Sequence, residues 1–82
     1  KRAAGRGNAQ AYNLIGAAFM DKDYEGYDPV TAFRYFKIGA ERGNDNAALN
    51  LMRAYCNGVG TAVNERLCMY WKSQVLPRLE KH

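Results

Sequence analysis

The chain has few of the residues that perform catalysis or bind metals. Its 82 residues include one serine, Ser73, and one histidine, His82, and no lysine stands three positions after the serine. A serine, cysteine or histidine nucleophile would therefore lack the neighbouring base that activates it. The two cysteines do not form a Cys-x-x-Cys pair and no histidine lies near them in the sequence. We therefore predict no catalytic residues, no metal site and no cofactor, and a protein that is not an enzyme.

Long apolar runs and dense clusters of basic residues are also missing. No uninterrupted apolar stretch approaches the roughly 20 residues that cross a bilayer, so we expect no membrane span. The 12 Lys and Arg outnumber the 8 Asp and Glu, but the basic residues are scattered along the sequence. Because nucleic-acid surfaces usually concentrate basic residues on one face, this distribution does not favour a nucleic-acid partner. The chain begins with lysine and not methionine, so we expect it to be a fragment of a longer protein.

What the sequence does contain is an internal repeat with a period of 36 residues. A fixed period of 20 to 50 residues is the signature of repeat architectures, so this observation decides the predicted fold. The positions that match in identity, size or polarity are Gly7 and Gly43, Asn8 and Asn44, Ala11 and Ala47, Ile15 and Leu51, Ala18 and Ala54, Phe19 and Tyr55, Asp28 and Asn64, Ala32 and Cys68, Phe33 and Met69, and Tyr35 and Trp71. Residues 1–7 align with residues 37–43 in the same way, which predicts that they end a preceding repeat.

Each unit of the repeat is predicted to form two helices. In the first unit Asn8 is expected to cap a helix over about 9–20, whose apolar residues recur at helical spacing and share one face: Ala11, Leu14, Ile15, Ala18 and Phe19. Asp28 and Pro29 then provide a cap and a first-turn proline for a second helix that runs to about Arg42 and ends at Gly43. The boundaries expected in the second unit are a cap at Asn44 or Asp45, a helix end near Cys56, a turn over 58–60, a cap at Asn64 and a helix end at Pro77.

These residues resemble the Sel1-like repeat, a relative of the tetratricopeptide repeat. The family pattern places Gly-x-x-x-Ala, Leu-Gly-x-x-Tyr, a Gly-x-Gly turn, an Asp and Ala-Leu-x-Trp-Tyr at fixed spacing. The residues that carry the resemblance are Gly7, Ala11, Ile15, Gly16, Phe19, Asp28, Ala32, Phe33, Tyr35 and Phe36 in the first unit, and Gly43, Ala47, Leu51, Tyr55, Gly58, Gly60, Asn64, Met69 and Trp71 in the second. The resemblance covers residues 1 to 76 and implies an all-α fold, an α/α solenoid of antiparallel helix pairs. Its units would be the end of a preceding repeat at 1–7, repeats at 8–43 and 44–76, and a C-terminal tail at 77–82.

The resemblance also implies a function as a scaffold for protein–protein interaction. In a solenoid the first helix of each unit lines an extended concave surface, which a protein or peptide partner can contact. The side chains expected on that surface are Gln10, Asn13, Ala17 and Met20 in the first unit, and Asn46, Leu49, Arg53 and Cys56 in the second. We predict Gln10, Asn13, Asn46, Leu49 and Arg53 as the partner-binding residues. An ordinary solvated helix face is the alternative interpretation, and a structural module that associates with itself through exposed repeat ends is the alternative function.

Three further features have competing interpretations. Residues 21–26 resemble the start of a calcium loop, but Ala32 stands where such a loop needs a bidentate glutamate, which favours an ordinary acidic turn. Cys56 and Cys68 belong to the two helices of one unit. Some Sel1-like proteins carry such a bridge, yet Cys68 also suits a small buried residue, and the sequence leaves both interpretations open. The aromatic residues that recur at the repeat spacing are predicted to pack in the core: Phe19, Tyr35, Phe36, Tyr55 and Trp71.

Overall fold

The computed structural model describes the backbone of residues 2–80 and the side chains of residues 8–77. Within this range the chain forms four α-helices and no strand: α1 (Arg2–Phe19), α2 (Pro29–Glu41), α3 (Asp45–Asn57) and α4 (Glu65–Glu80). The predicted all-α class is therefore confirmed. None of the described helices is both long enough and apolar enough to cross a membrane.

The start of each helix after α1 is fixed by a capping side chain. In each case a side-chain oxygen accepts the backbone N–H three residues later: Asp28 from Thr31 at 3.3 Å, Asn44 from Ala47 at 2.8 Å, and Asn64 from Leu67 at 3.0 Å. These bonds satisfy N–H groups that have no acceptor within the helix. Of the four caps predicted from the sequence, the three that precede α2, α3 and α4 are confirmed, because capping depends on a few adjacent residues.

The 36-residue period of the sequence is also a period of the backbone structure in the loops 20–28 and 58–64, which join α1 to α2 and α3 to α4. The N–H of Asp28 donates to the carbonyl of Phe19 at 2.9 Å, and that of Asn64 donates to the carbonyl of Tyr55 at 2.9 Å. The second donor and acceptor are the repeat counterparts of the first. Each loop therefore returns the chain to the end of the helix that it has just left.

The helices α1 and α2 pack antiparallel at close range. A Cβ atom at Gly16, late in α1, would lie 2.7 Å from the ring of Phe36 and 3.2 Å from the carbonyl oxygen of Ala32, early in α2. A Cβ atom at Gly39, late in α2, would lie 3.1 Å from the carbonyl oxygen of Ala9. Because real Cβ atoms do not approach other atoms so closely as 2.7 Å, glycine at these positions is what allows the two backbones to come together.

The core lies around α2 and α3 and is built largely from small side chains. Its buried members are Ala32, Phe36, Ala40, Ala47, Ala48, Leu51, Tyr55 and Val75. The aromatic residues predicted for the core divide into three groups. Phe36 and Tyr55 are buried in it, Phe19 and Trp71 are half-buried against it, and Tyr35 instead stacks with Phe19 at 5.9 Å between ring centroids. The alanines allow close helix packing, and the half-buried rings of Phe19 and Trp71 cover the edge of the core.

Two predicted helix boundaries are wrong. Helix α1 begins at Arg2 and continues without a break through Gly7 and Asn8, so Asn8 does not cap it. At the equivalent Gly43 the backbone turns with a φ of 98°, and the turn is held because α3 packs back on α2. One glycine inside a helix costs only about 1 kcal/mol, so Gly7 by itself does not end α1. The assignment of residues 1–7 to a preceding repeat stays a prediction, although their backbone from Arg2 onward belongs to α1.

Helix α4 also continues where the sequence predicted an end. Pro77 lies inside the helix, which runs on to Glu80. Proline lacks the N–H that would bond to the carbonyl four residues earlier, but its φ of about −65° is helical. The loss of one hydrogen bond near the end of a helix is therefore tolerated, and proline alone does not terminate this one.

Candidate partner-binding groove

An open groove of about 330 Å³ lies between the C-terminal end of α1, the start of α2 and one face of α3. Its lining consists of Ala17, Met20, Pro29, Phe33, Phe36, Asn50, Arg53, Ala54, Asn57 and Val59. This volume is at the lower end of the range of protein binding sites, which extends from about 300 to 1,000 Å³. The groove is therefore large enough for one or two side chains of a partner.

The apolar part of the groove is held in place by the core. Phe36 and Ala54 are buried. Phe33 is half-buried and meets the ring of Tyr55 edge to face, with centroids 5.4 Å apart and planes at 82°. Such an arrangement restricts the orientation of both rings. The groove consequently has a floor that is already formed before a partner arrives.

The polar part of the groove lies on α3. Asn50, Arg53 and Asn57 line it and are three and four residues apart, which places them on one side of the helix. The amide nitrogen of Asn50 donates to the side-chain oxygen of Asn13 at 2.9 Å. This bond joins α1 to α3 and fixes the Asn50 side chain at the groove wall.

Among the described residues that line the groove, Arg53 is the single charged one and none is acidic. The Arg53 side chain is exposed, whereas the apolar floor beside it is largely covered. A guanidinium group presents several N–H donors in one plane and pairs well with carboxylates. The arrangement therefore offers an apolar contact and an anion contact next to each other.

The structure brings together only part of the predicted concave surface. Arg53, Ala17 and Met20 line the groove. Asn13 is only 9% exposed and lies behind Asn50, where it orients that residue. Its contact with a partner stays a prediction, and in the structure it accepts a hydrogen bond from Asn50.

The other predicted binding residues lie outside the groove. Leu49 is half-buried against the core. Gln10 and Asn46 are exposed but are not part of the groove lining, and Asn46 borders a separate polar depression at the start of α3. The spacing of residues along each helix predicts which side chains share a face of that helix. It does not predict how α1 and α3 are tilted and shifted relative to each other, which decides which side chains reach the groove.

Sequence reasoning missed Asn50 and the contribution of α2 to the groove. The signal for Asn50 was present, because its repeat counterpart is the apolar Leu14. A polar residue that interrupts a repeated apolar pattern is more informative than one that conforms to it. Phe33 was identified only as a repeat position that matches Met69, and the structure shows that it packs against the core and also lines the groove.

Cys56 and Cys68 form a disulfide bond, with Cα atoms 5.0 Å apart. The bridge joins the end of α3 to the first turn of α4, next to the loop that carries Gly58 and Gly60. Of the two interpretations that the sequence left open, the bridge is therefore the one that the structure contains. The second helix pair has a covalent link at the end where its loop lies.

The acidic loop has the geometry of a turn. The side-chain oxygen of Asp21 accepts the backbone N–H of Asp23 at 2.9 Å. Ala32, at the position where a calcium loop needs its glutamate, is completely buried in the core. Among the residues that the structure describes, no three His, Cys, Asp or Glu side chains are grouped so that they could hold a metal ion.

The remaining candidates for chemistry are Ser73 and His82. Ser73 donates its hydroxyl hydrogen to the carbonyl oxygen of Tyr70 at 2.6 Å, a common bond on a helix surface. His82 lies outside the described residues.

No protein-family model matches the chain, and no curated protein or solved structure is significantly similar to it. The resemblance to the Sel1-like repeat therefore rests only on the residues of this sequence that match the family pattern.

Proposed function

We propose that the chain is a protein–protein interaction scaffold that binds a partner segment in the groove between α1 and α3. The observation that carries this proposal is the groove itself, in which a preformed apolar floor adjoins one arginine and two asparagines. Interfaces with proteins and peptides combine buried apolar anchors with arginine and amide contacts in this way.

An α/α solenoid of Sel1-like repeats is the proposed architecture. The loops close on equivalent hydrogen bonds from Asp28 and Asn64, and α2 packs against both α1 and α3. These observations support successive helix pairs related by the sequence repeat. In this arrangement α1 and α3 are the first helices of their units and stand on the concave side.

The partner segment should carry an apolar side chain next to a carboxylate. The apolar side chain would occupy the floor formed by Phe33, Phe36 and Ala54, where it displaces water from apolar surface. The carboxylate would pair with Arg53, the single charge in the lining. A segment with a basic residue at that position would bring two positive charges together and would bind more weakly.

Selection of peptides from a random library on the immobilised full chain tests this proposal. We expect the selected peptides to share an acidic residue beside a large apolar one, and their affinity to be measurable by fluorescence anisotropy. Arg53→Glu should weaken that binding by roughly tenfold or more, since a charge-assisted contact would become a repulsion. The same selection on the Arg53→Glu chain should favour basic residues instead.

Arg34→Glu provides the matched control, because Arg34 is an exposed arginine on α2 that lies outside the groove. It changes the net charge by the same amount as Arg53→Glu. Peptide affinity should change by no more than about twofold, because salt screens the interaction between position 34 and a peptide in the groove. Equal losses in the two variants would mean that binding depends on overall charge, and the groove would then not be the binding site.

A further inference from the structure

One face of α1 is apolar and open to solvent. Ala11, Leu14, Ile15 and Ala18 occupy it at helical spacing, and we call these four residues the α1 outer face. Leu14 is 60% exposed and Ile15 is 40% exposed. Single exposed apolar residues are common on proteins, but a continuous apolar stripe along a helix usually marks an interaction surface.

The repeat shows what covers this face in the other unit. The counterparts of Ala11, Ile15 and Ala18 are the buried residues Ala47, Leu51 and Ala54 on α3. Leu51 belongs to the same buried cluster as Phe36 of α2. The N-terminal part of this surface is contacted so closely by α2 that a Cβ atom at Gly39 would lie 2.8 Å from the Cβ of Ala47.

We propose that the α1 outer face is a docking surface for a further helix pair of the same repeat type. The second helix of that pair would pack on α1 as α2 packs on α3. The inference rests on the match between an open face and its covered counterpart 36 residues later. It does not depend on peptide binding in the groove.

The covered counterpart also specifies the chemistry of the docking helix. Opposite Ala11 the helix needs a glycine, because Gly39 is what allows α2 to approach Ala47. Toward the other end it needs aromatic rings, since Phe33 meets the ring of Tyr55, whose counterpart on α1 is Phe19. The partner is therefore an amphipathic helix with an aromatic-x-x-aromatic-x-x-Gly surface, as in Phe33, Phe36 and Gly39 of α2.

The helix α4 of a second copy does not meet this requirement. The counterparts of Phe36 and Gly39 on α4 are Lys72 and Val75. A charged side chain would replace the ring, and a branched one would replace the glycine at the closest approach. Head-to-tail association of identical chains would therefore lack both features that join α2 to α3.

The proposal is tested with an extended chain that contains every residue of the protein and a second copy of residues 8–43. Residues 1–43 followed directly by residues 8–82 add one unit, and the new Gly43-Asn8 junction has the same residues as Gly43-Asn44. Ile15→Glu is then compared in three places: the 82-residue chain, the leading unit of the extended chain, and its internal unit.

The internal substitution should lower the melting temperature by roughly 10 °C or more, because it buries a charge under the added helix pair. In the other two places Ile15 is open, and the shift should stay within about 3 °C, as for most surface substitutions. Circular dichroism measures all three shifts. Equal small shifts would overturn the proposal, and so would an extended chain whose added unit stays unfolded.

Sedimentation velocity of the 82-residue chain tests whether a second copy of the chain binds the α1 outer face instead. We expect a monomer both before and after Ile15→Glu. A dimer that Ile15→Glu dissociates would instead assign the α1 outer face to a second copy, and the proposed occupant would be wrong.

Discussion

The helices α1 and α3 have closely similar apolar residues at equivalent positions, but only α3 buries them. Ile15 on α1 is 40% exposed, whereas its counterpart Leu51 on α3 is 0% exposed. The difference comes from α2, which packs on the face of α3 that contains Leu51. No described helix packs on the equivalent face of α1, which contains Ile15. An apolar stripe in a sequence therefore indicates a helix face suited to burial, but the neighbouring unit decides whether the face is buried.

Shortening the two equivalent side chains should give the largest difference between the helices. Leu51→Ala should lower the free energy of unfolding by about 2 to 5 kcal/mol, because it removes buried methyl groups and leaves a cavity. Ile15→Ala should cost less than about 1 kcal/mol, since much of Ile15 already faces water. Urea unfolding monitored by circular dichroism compares the two. Similar losses would show that the α1 outer face is covered in solution.

The two helix pairs also differ in how their loops are held. The disulfide between Cys56 and Cys68 links α3 to α4, whereas no disulfide links α1 to α2 within the described residues. Crosslinking residues separated by 12 positions reduces the entropy of the unfolded chain. By the loop-entropy relation this stabilises the folded state by about 3 kcal/mol.

Replacing both cysteines by serine should therefore remove about 3 kcal/mol of unfolding free energy. Reduction of the unmodified chain with a thiol should lower its stability by a similar amount, and the reductant should have no effect on the double variant. Urea unfolding with and without reductant gives both values. If reduction leaves the stability unchanged, the bridge does not hold α3 and α4 together in solution.

The features that sequence predicted correctly are those set by adjacent residues. The caps at Asp28, Asn44 and Asn64 depend on one side chain and the next helical turn. Asp28 and Asn64 were located to the residue, and of the two candidates for α3, Asn44 or Asp45, the cap is Asn44. The all-α class likewise follows from helical spacing of apolar residues and from the repeat period. Local rules were sufficient for these features because no distant contact competes with them.

The features that sequence missed depend on contacts between helices. Helix α1 continues through Gly7 and Asn8, although the same two residue types follow the end of α2 at Gly43 and Asn44, where α3 packs on α2. The groove is a further example. Its residues come from α1, α2, α3 and two loops, so their convergence follows from how the helices pack.

The close approach of α2 to α3 can be tested at Gly39. A Cβ atom there would lie 2.8 Å from the Cβ of Ala47, so Gly39→Ala should force α2 away from α3. Overpacking of this kind costs about 1 to 3 kcal/mol, from which the better helix propensity of alanine subtracts up to about 1 kcal/mol. Thermal or urea unfolding should show a net loss of up to about 3 kcal/mol.

Gly43→Ala is the useful comparison, because no atom lies within 4 Å of a Cβ at that position but its φ is 98°. Its cost should come from backbone conformation alone and be about 1 kcal/mol. The effect of Ala47→Gly on the free energy of unfolding is then measured in three chains: the unmodified chain, Gly39→Ala and Gly43→Ala. Ala47→Gly should be less destabilising in the Gly39→Ala chain than in the unmodified chain, and equally destabilising in the Gly43→Ala chain. Without this recovery, the contact between α2 and α3 is not the cause of the stability loss in Gly39→Ala.

The two equivalent caps of α2 and α4 should differ in their response to acid. Hydrogen bonds from the Thr31 hydroxyl and then from the Thr31 backbone lower the pKa of Asp28 below its ordinary value, and Asn64 does not titrate. Because the folded pKa is the lower one, the stabilisation by Asp28 is present above the unfolded pKa of about 4 and is lost as the pH falls through the folded value. Asp28→Asn should make the first cap resemble the second. We therefore expect the wild-type and variant stabilities, measured by urea unfolding from pH 7 to pH 2.5, to converge or cross below about pH 4. A constant difference across that range would show that the charge of Asp28 contributes nothing to the cap.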